Sequence, residues 1–324
     1  MKKIIRRTVF VLIIIVALVA IAAGAMIGPY YFRVHHFPAN AAAGYQADFY
    51  VYVSPGAKDG ARSGGKQTIL VQPNNSGTNS DDLSVHRSDA WWTGWERKGV
   101  ADELGVILLV PAFVRPGKDW QIYTHALDRD SLTTKRSDIV RLDLQLLAMV
   151  DDARRLLKQQ GIETDEKILI QGFSASGMFA NRFTALHPDR VSAAAVGSPG
   201  GWPIAPIGQF DNEPLPYPAG VADLEALTGK PFAAEQFKSV PQLMVMGSLD
   251  DNDSLDFGDG WEKEAAAQVD RFFGDEPQSR WKNSEKVYKA AGVNAQFVLV
   301  EGVGHDRKKL QSHSTEFFKR VLGK

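Results

Sequence analysis

A turn between an apolar run and a helical pattern, at residues 168–177, constrains this 324-residue chain more than any other feature. Residues 168–170 read Ile-Leu-Ile, which is typical of a buried strand, and small residues surround Ser174 just beyond them. A chain that turns this sharply from a strand into a helix strains the serine backbone and lifts its hydroxyl above the sheet. The segment therefore predicts a strand, a tight turn and a helix that present a reactive serine.

The residues on either side of this serine decide which hydroxyl is the nucleophile. Gly172 lies two positions before Ser174, but Ser176 stands two positions after it, where the G-x-S-x-G pattern has a second glycine. Ser176 is a rival nucleophile, but one of its own flanks would be Met178, which is bulky for a position where two backbones approach closely. We expect Ser174 to be the nucleophile; the alternative is a helix start that Ser174 merely caps.

A serine hydroxyl needs a histidine to accept its proton and an acid to orient that histidine. Among the seven histidines, His305 has the setting that suits a base, because it lies in a glycine-containing loop after the strand-like run 296–300. Asp250 follows the strand-like run 242–246 and comes between serine and histidine in the chain order typical of such triads. Asp253 in the same loop is the alternative acid. The loop does not have the register of a calcium-binding loop.

The residues after the serine point to a known group of enzymes. Residues 174–178 read Ser-Ala-Ser-Gly-Met, where esterases of the polyhydroxybutyrate depolymerase and feruloyl esterase kind carry Ser-Ala-Gly-Gly-Met. From Gln67 to the C-terminus the chain resembles these α/β-hydrolase fold proteins. The resemblance implies a carboxylic ester hydrolase that works through an acyl-enzyme on a Ser174, His305 and Asp250 triad, without metal or organic cofactor.

The same resemblance indicates an oxyanion hole. The run Gln-Pro-Asn-Asn-Ser-Gly at residues 72–77 follows a strand-like segment and aligns with the His-Gly-x-Gly loops of esterases. In that alignment the backbone N–H groups of Asn75 and Ala175 would bind the oxyanion. A simple turn is the alternative explanation of this run.

Strand and helix patterns alternate along the chain. Residues 48–53 alternate like an outer strand, residues 106–110 and 191–196 are apolar and strand-like, and residues 137–161 have helical periodicity. Such alternation predicts an α/β protein with a mostly parallel central sheet and helices on both faces, here an α/β-hydrolase fold.

Two long irregular segments, at residues 112–136 and 198–238, begin where strands end. Ligands of open α/β sheets bind at the carboxyl ends of the strands, so both segments are candidates for a substrate pocket and lid. Packing is the alternative role for the side chains that we single out as substrate-binding candidates, which are Trp120, Tyr123, His125 and Trp202.

The N-terminus predicts a membrane segment. Residues 8–32 form an uncharged stretch that is long enough to cross a bilayer, and it is preceded by Lys2, Lys3, Arg6 and Arg7. We expect an uncleaved transmembrane anchor at residues 1–32, a tether at 33–46, and an exported hydrolase domain, periplasmic or extracellular, at 47–324. Cleavage after Ala25, which would release a secreted protein, is the alternative.

Composition limits the remaining functions. The formal net charge of -1 argues against a nucleic-acid partner, and the absence of cysteine excludes disulfides and thiolate metal sites. We expect a small-molecule ester as substrate, contact with the membrane through the N-terminal helix, and no metal. Two alternative hypotheses for the function are a serine peptidase on the same fold and a membrane-tethered binding protein with a degenerate site.

Overall fold

The computed structural model describes residues 2–75 and 77–324, without the side chains of residues 2–7 and 23. The side chains of Lys2, Lys3, Arg6 and Arg7, which form the basic flank of the expected membrane segment, therefore lie outside the described residues. Ser76, in the expected oxyanion loop, lies outside them too.

A central sheet organises the fold. Along the described chain the strands are β1 (Val34–Phe37), β2 (Phe49–Val53), β3 (Ile69–Val71), β4 (Ile107–Pro111), β5 (Ile168–Phe173), β6 (Val191–Gly197), β7 (Gln209–Phe210), β8 (Glu213–Pro214), β9 (Gln242–Gly247) and β10 (Ala295–Val300). Their order in the central sheet is β1-β2-β4-β3-β5-β6-β9-β10, and β7 pairs only with β8. β2 is antiparallel to β1 and β4, whereas all pairs from β4 to β10 are parallel.

Helices cover both faces of this sheet. They are α1 (Lys2–Tyr31), α2 (Pro55–Arg62), α3 (Leu83–Leu104), α4 (Arg129–Thr133), α5 (Leu142–Gln159), α6 (Ala175–Leu186), α7 (Leu224–Thr228), α8 (Ala234–Ser239), α9 (Lys263–Phe273), α10 (Pro277–Ala290) and α11 (Arg307–Leu322). Alternate residues of β5 serve different cores: Ile168 and Ile170 pack with α5, α6 and α10, and Leu169 packs with α3 and α11. The expected α/β architecture with two helical layers is confirmed.

The helix expected at residues 137–161 is shorter in the structure. α5 begins at Leu142, because Arg141 adopts a left-handed backbone conformation with φ 52°. In that conformation its guanidinium pairs with Asp143 in the first turn of the helix, at 2.8 Å. Periodicity counts only apolar spacing and does not reveal such a change of backbone conformation before a helix.

The N-terminal helix has the length and composition of a membrane span. Thr8–Tyr31 is apolar, and its side chains are exposed up to Met26 wherever the structure describes them, which fits a signal anchor or a signal sequence. Beyond it, part of the expected tether is ordered on the sheet, since β1 pairs with β2. The division of the chain at residues 32 and 46 remains a prediction.

The end of α1 packs against α3. Tyr30 is fully buried, with its ring 5.2 Å from that of Trp91, and the Trp95 indole donates to the Met26 carbonyl. Gly94 makes room for this contact, because a Cβ there would lie 2.0 Å from the Tyr30 hydroxyl. A small residue on α3 thus lets the two helices meet closely.

Candidate active site

The turn from β5 into α6 holds Ser174 in a strained conformation. Its backbone has φ 57° and ψ -127°, a combination that only a tightly constrained serine adopts. The turn closes because Gly172 has no side chain: a Cβ at that position would lie 1.9 Å from the Ser176 carbonyl oxygen. Gly177 lets α6 approach β6, since its Cβ would lie 2.6 Å from the Gly197 carbonyl oxygen.

Ser176, the departure from the two-glycine pattern, is part of this turn. Its hydroxyl donates to the Phe173 carbonyl at 2.9 Å and accepts the Phe173 N–H at 3.0 Å. The residue is only 2% exposed. The hydroxyl is therefore occupied in closing the turn, whereas Ser174 is half-buried and makes no side-chain hydrogen bond within the described residues.

Asp250 and His305 meet beyond the ends of β9 and β10. The imidazole Nδ1 lies 3.0 Å from both carboxylate oxygens of Asp250, which is buried. Burial of the carboxyl opposes ionisation, but the hydrogen bonds from His305 and from the Asn252 N–H outweigh it and lower the pKa of Asp250. An ionised, fixed carboxylate at Nδ1 leaves Nε2 of His305 as the nitrogen available for proton transfer.

His305 lies beside the serine turn. Its ring is 4.5 Å from the ring of Phe173, the residue before Ser174. No hydrogen bond joins the Ser174 hydroxyl to the imidazole. Such contacts are often long in ligand-free enzymes and shorten when substrate binds.

Asp253, the alternative acid, has another partner. It accepts two hydrogen bonds from the buried Arg280 guanidinium, one of them at 2.9 Å. In the part of the chain that the structure describes, no group of three or more His, Asp or Glu side chains is arranged to hold a metal ion.

The loop after β3 reaches the serine turn. The Asn75 side chain donates to the Phe173 carbonyl at 3.3 Å. The Ala175 N–H lies in the first turn of α6 and has no acceptor within the helix. Asn74 fixes the loop from behind: its amide oxygen accepts the Phe113 N–H, and its amide nitrogen donates to the Phe113 carbonyl, both at 3.0 Å. Sequence reasoning missed this role of Asn74, because an Asn-Asn pair in a turn does not reveal a partner 39 residues away.

Comparison with protein-family models gave no match, and comparison with curated protein sequences gave none either. Solved structures do match over most of the chain. Poly(aspartic acid) hydrolase-1 from Sphingomonas sp. KT-1 has a TM-score of 0.55 at 18% identity, over 88% of this chain and 97% of that one. LpqC, a poly(3-hydroxybutyrate) depolymerase from Bordetella parapertussis, has a TM-score of 0.54 at 17% identity, over 90% of both chains. MPT51 from Mycobacterium tuberculosis has a TM-score of 0.51 at 11% identity, over 89% and 96%.

The chain has the α/β-hydrolase fold. In this fold the reacting groups stand on loops at the carboxyl ends of parallel strands. Ser174, Asp250 and His305 occupy these places, after β5, β9 and β10. Residues that are up to 131 positions apart in the chain therefore reach one edge of the sheet.

Two of the four side chains singled out as substrate contacts are buried. Trp202 stacks on Phe273 with 4.2 Å between ring centroids and donates to the Ala219 carbonyl. His125 is fully buried beside the Phe113 carbonyl, at 2.9 Å, and burial lowers its pKa to about 3. Both side chains serve packing in this structure.

The other two lie nearer the surface. Tyr123 packs against Ala175 and Met178 at the start of α6, and its ring lies 3.9 Å below the Arg115 guanidinium. Trp120 is 43% exposed. Tyr123 is therefore the aromatic side chain of this set that borders the serine turn.

A cleft of about 570 Å³ opens beside His305. Its walls are the loop after β3, the middle of α3, Phe173 and Ser176 on either side of Ser174, and the start of α11. The wall from α3 includes Trp92, Glu96 and Arg97, and the opposite wall includes Arg307 and Lys308. The cleft is lined mainly by charged and polar groups.

Proposed function

We propose that this protein is a serine hydrolase, most specifically a carboxylic ester hydrolase with Ser174, His305 and Asp250 as its catalytic triad. The observation that carries the proposal is the Asp250–His305 hydrogen bond next to a serine with φ 57°. A strained serine turn is costly for a fold and is retained where the hydroxyl has a function. Neighbours of the same fold include a hydrolase and a depolymerase, which supports this class of reaction.

The proposed reaction has two steps. The Ser174 hydroxyl oxygen attacks the ester carbonyl carbon while His305 Nε2 takes its proton, and the carbonyl oxygen becomes an oxyanion. The tetrahedral intermediate then expels the alcohol, which takes the proton from His305, and an acyl-enzyme remains. Water attacks the acyl-enzyme with His305 again as the base, and the carboxylic acid leaves. No metal or organic cofactor is needed in this sequence.

Two backbone groups would stabilise the oxyanion. The N–H groups of Asn75 and Ala175 flank the serine turn and have no backbone partner in the described chain. Asp250 would stabilise the imidazolium that forms on His305, because its carboxylate is held ionised. We include Tyr123 and Trp120 as candidates for the substrate wall, and we leave out Trp202 and His125 because they are packed inside.

The intact turn disfavours the degenerate binding protein. Position 176 is not a glycine, but the Ser176 hydroxyl bonds both the N–H and the carbonyl of Phe173, so the turn stays closed. We further propose that α1 anchors the protein in a membrane with the hydrolase domain exported. Its partners are then the membrane and a small-molecule ester, and no nucleic acid is bound.

A fluorophosphonate probe tests the catalytic proposal. The full-length protein in a nonionic detergent should be labelled at Ser174 and should hydrolyse p-nitrophenyl butyrate. Ser174→Ala should lose both while keeping its thermal unfolding temperature, and Ser176→Ala should keep both. Labelling that survives Ser174→Ala, or a folded unmodified protein that is never labelled, would exclude the proposal.

Membrane extraction tests the anchor. The full chain should stay with membranes in alkaline carbonate, and added protease should digest the hydrolase domain only from the exported side. Release of a shortened chain into the soluble fraction would instead support cleavage after Ala25.

A further inference from the structure

Arg97 has an unusual place beside the proposed active site. It lies on α3 with its residue surface 6% exposed, and its guanidinium borders the cleft next to His305. Its hydrogen-bond partner is the Gln311 side-chain oxygen, a neutral group. Among the described residues no carboxylate pairs with Arg97.

A buried guanidinium without a carboxylate is energetically expensive. Burial, together with the nearby Arg307 guanidinium, lowers the pKa of Arg97 to about 9, so the group is still charged at neutral pH. Buried charges are normally paired, because desolvation is not otherwise offset. A group that keeps such a charge at the wall of a cleft is poised for a ligand of opposite charge.

The acidic side chains of the cleft are engaged elsewhere. Glu96 pairs with Arg307 at 2.6 Å. Asp306 accepts the backbone N–H groups of Lys308 and Lys309 at the start of α11. Neither carboxylate forms an ion pair with Arg97 in the described chain, although the charge of Glu96 opposes the fall in the Arg97 pKa.

Asp89, on the same wall, accepts a hydrogen bond from the Asn74 amide at 3.1 Å. The walls of the cleft therefore carry three carboxylates and three cations, Arg97, Arg307 and Lys308, of which Arg97 is the most buried. A singly charged ligand group suits this balance better than a doubly charged phosphate, which the carboxylates would repel more strongly.

A recess behind the cleft adds a second unused donor. It holds about 20 Å³ and is lined by Arg97, Gln171 and Gln311 among others. The buried Gln171 Nε2 has no acceptor in the part of the chain that the structure describes. Arg97 lines both the cleft and the recess, so an anionic oxygen at this wall would accept from its guanidinium, and the unused Gln171 donor lies in the adjoining recess.

The position of His305 decides which half of an ester enters this cleft. In the proposed reaction His305 gives its proton to the departing alcohol, so the alcohol half must lie on the histidine side. His305, Arg307 and Lys308 all line the cleft. We infer that the cleft binds a carboxylate carried by the alcohol portion of the ester, with Arg97 as its counter-ion. This rests on the proposed function, because that function identifies the alcohol side.

Matched substrates test the inference. 4-Acetoxybenzoate and 4-acetoxybenzamide have the same acyl group and the same shape, and they differ in the charge on the alcohol portion. The ratio of their kcat/KM values, measured on detergent-solubilised full-length protein, serves as an internal reference in each variant. A charged hydrogen-bonded contact is worth about 10- to 100-fold in affinity.

Arg97→Met should lower the benzoate-to-benzamide ratio about tenfold or more, chiefly through the KM of the benzoate. Its kcat/KM for the benzamide should stay within about threefold, and Arg97→Lys should keep part of the preference. Arg62→Met, at an exposed position on α2, is the matched control and should leave the ratio unchanged. A ratio that is the same in the unmodified protein and in Arg97→Met would overturn the inference.

A binding measurement separates this inference from the proposed function. 4-Hydroxybenzoate, the product alcohol, should raise the thermal unfolding temperature of the Ser174→Ala protein more than 4-hydroxybenzamide does. Arg97→Met should remove that difference, and it should itself unfold at the same or a higher temperature because a buried charge is gone. Equal effects of the two alcohols, or a large destabilisation by Arg97→Met together with equal losses on both esters, would show a merely structural arginine. This comparison of unfolding temperatures does not depend on whether the protein cleaves esters.

Discussion

The Ser176 hydroxyl offers a quantitative test of how the serine turn is built. Ser176→Ala removes one hydrogen bond that the Phe173 carbonyl accepts and one that its N–H donates. Each such bond contributes about 0.5–1.5 kcal/mol net, so the variant should lose about 2 kcal/mol of unfolding free energy. For a domain of this size that corresponds to a fall of about 4–8 °C in the thermal unfolding temperature.

The effect on catalysis should be small by comparison. Ser176→Ala leaves the Ser174 hydroxyl in place, so hydrolysis of p-nitrophenyl butyrate should fall no more than about tenfold, through a looser turn. Ser192→Ala is the matched control, because the Ser192 hydroxyl makes one hydrogen bond to the Ile168 carbonyl at the opposite end of β5. That control should lose about 1 kcal/mol and keep full activity.

Two results would refute this account of Ser176. An unchanged unfolding temperature would mean that the hydroxyl does not hold the turn. Complete loss of hydrolysis by folded Ser176→Ala protein, with activity retained in Ser174→Ala, would make Ser176 the nucleophile.

Five further substitutions test other parts of the structure. Asp250→Asn should lower kcat on the order of 10⁴-fold in an ester hydrolysis assay, whereas Asp253→Asn should chiefly lower the unfolding temperature. Gly172→Ala should destabilise the fold by about 3 kcal/mol or prevent folding, because the added methyl meets backbone atoms at 1.9 Å; denaturant unfolding measures this. Ser174→Gly should abolish hydrolysis yet raise the unfolding temperature, because glycine relieves the strain at φ 57°. Burial of the Asp143 carboxyl opposes ionisation. Hydrogen bonds from the His187 imidazole and the Arg141 guanidinium outweigh this effect and lower the pKa of Asp143 from 3.8 to about 2. Because this pKa is lower in the folded than in the unfolded protein, the ionised carboxylate stabilises the fold above pH 4, and this stabilisation is lost as the pH falls towards 2. Asp143→Asn should therefore cost about 2 kcal/mol of unfolding free energy at pH 7 and progressively less below pH 4, as measured by urea titrations.

The sequence could predict the α/β fold and the meeting of Asp250 with His305, because both depend on local order along the chain. Parallel strands bring their carboxyl ends to one edge, so a residue just after one strand approaches a residue just after the next. β9 and β10 are neighbours in the sheet, and the two side chains follow them by three and five residues. Strand positions could bring this loop to His305, but the choice between Asp250 and Asp253 needed the structure, in which Asp253 pairs with Arg280.

The substrate wall could not be predicted in the same way. Trp202 and His125 lie in long segments whose path depends on packing between distant parts of the chain, and aromatic residues in such segments pack inside as readily as they line a pocket. The burial of Arg97 could not be predicted either. It sits in a polar helical pattern where an arginine is expected to face solvent, and only the approach of α11 buries it.

α3 connects the apolar N-terminal helix α1 to the proposed active site. One face of this helix receives Tyr30 and the Met26 carbonyl of α1, and the neighbouring face carries Trp92 and Arg97 into the cleft. The residues of α1 that contact α3 lie after Ala25, so cleavage there would leave these contacts with the domain. The packing of α3, and with it the wall of the cleft, is then the same for an anchored chain and for a chain released after Ala25. The two forms differ in where the enzyme acts and not in how its site is assembled, which is why membrane extraction separates them and activity alone does not.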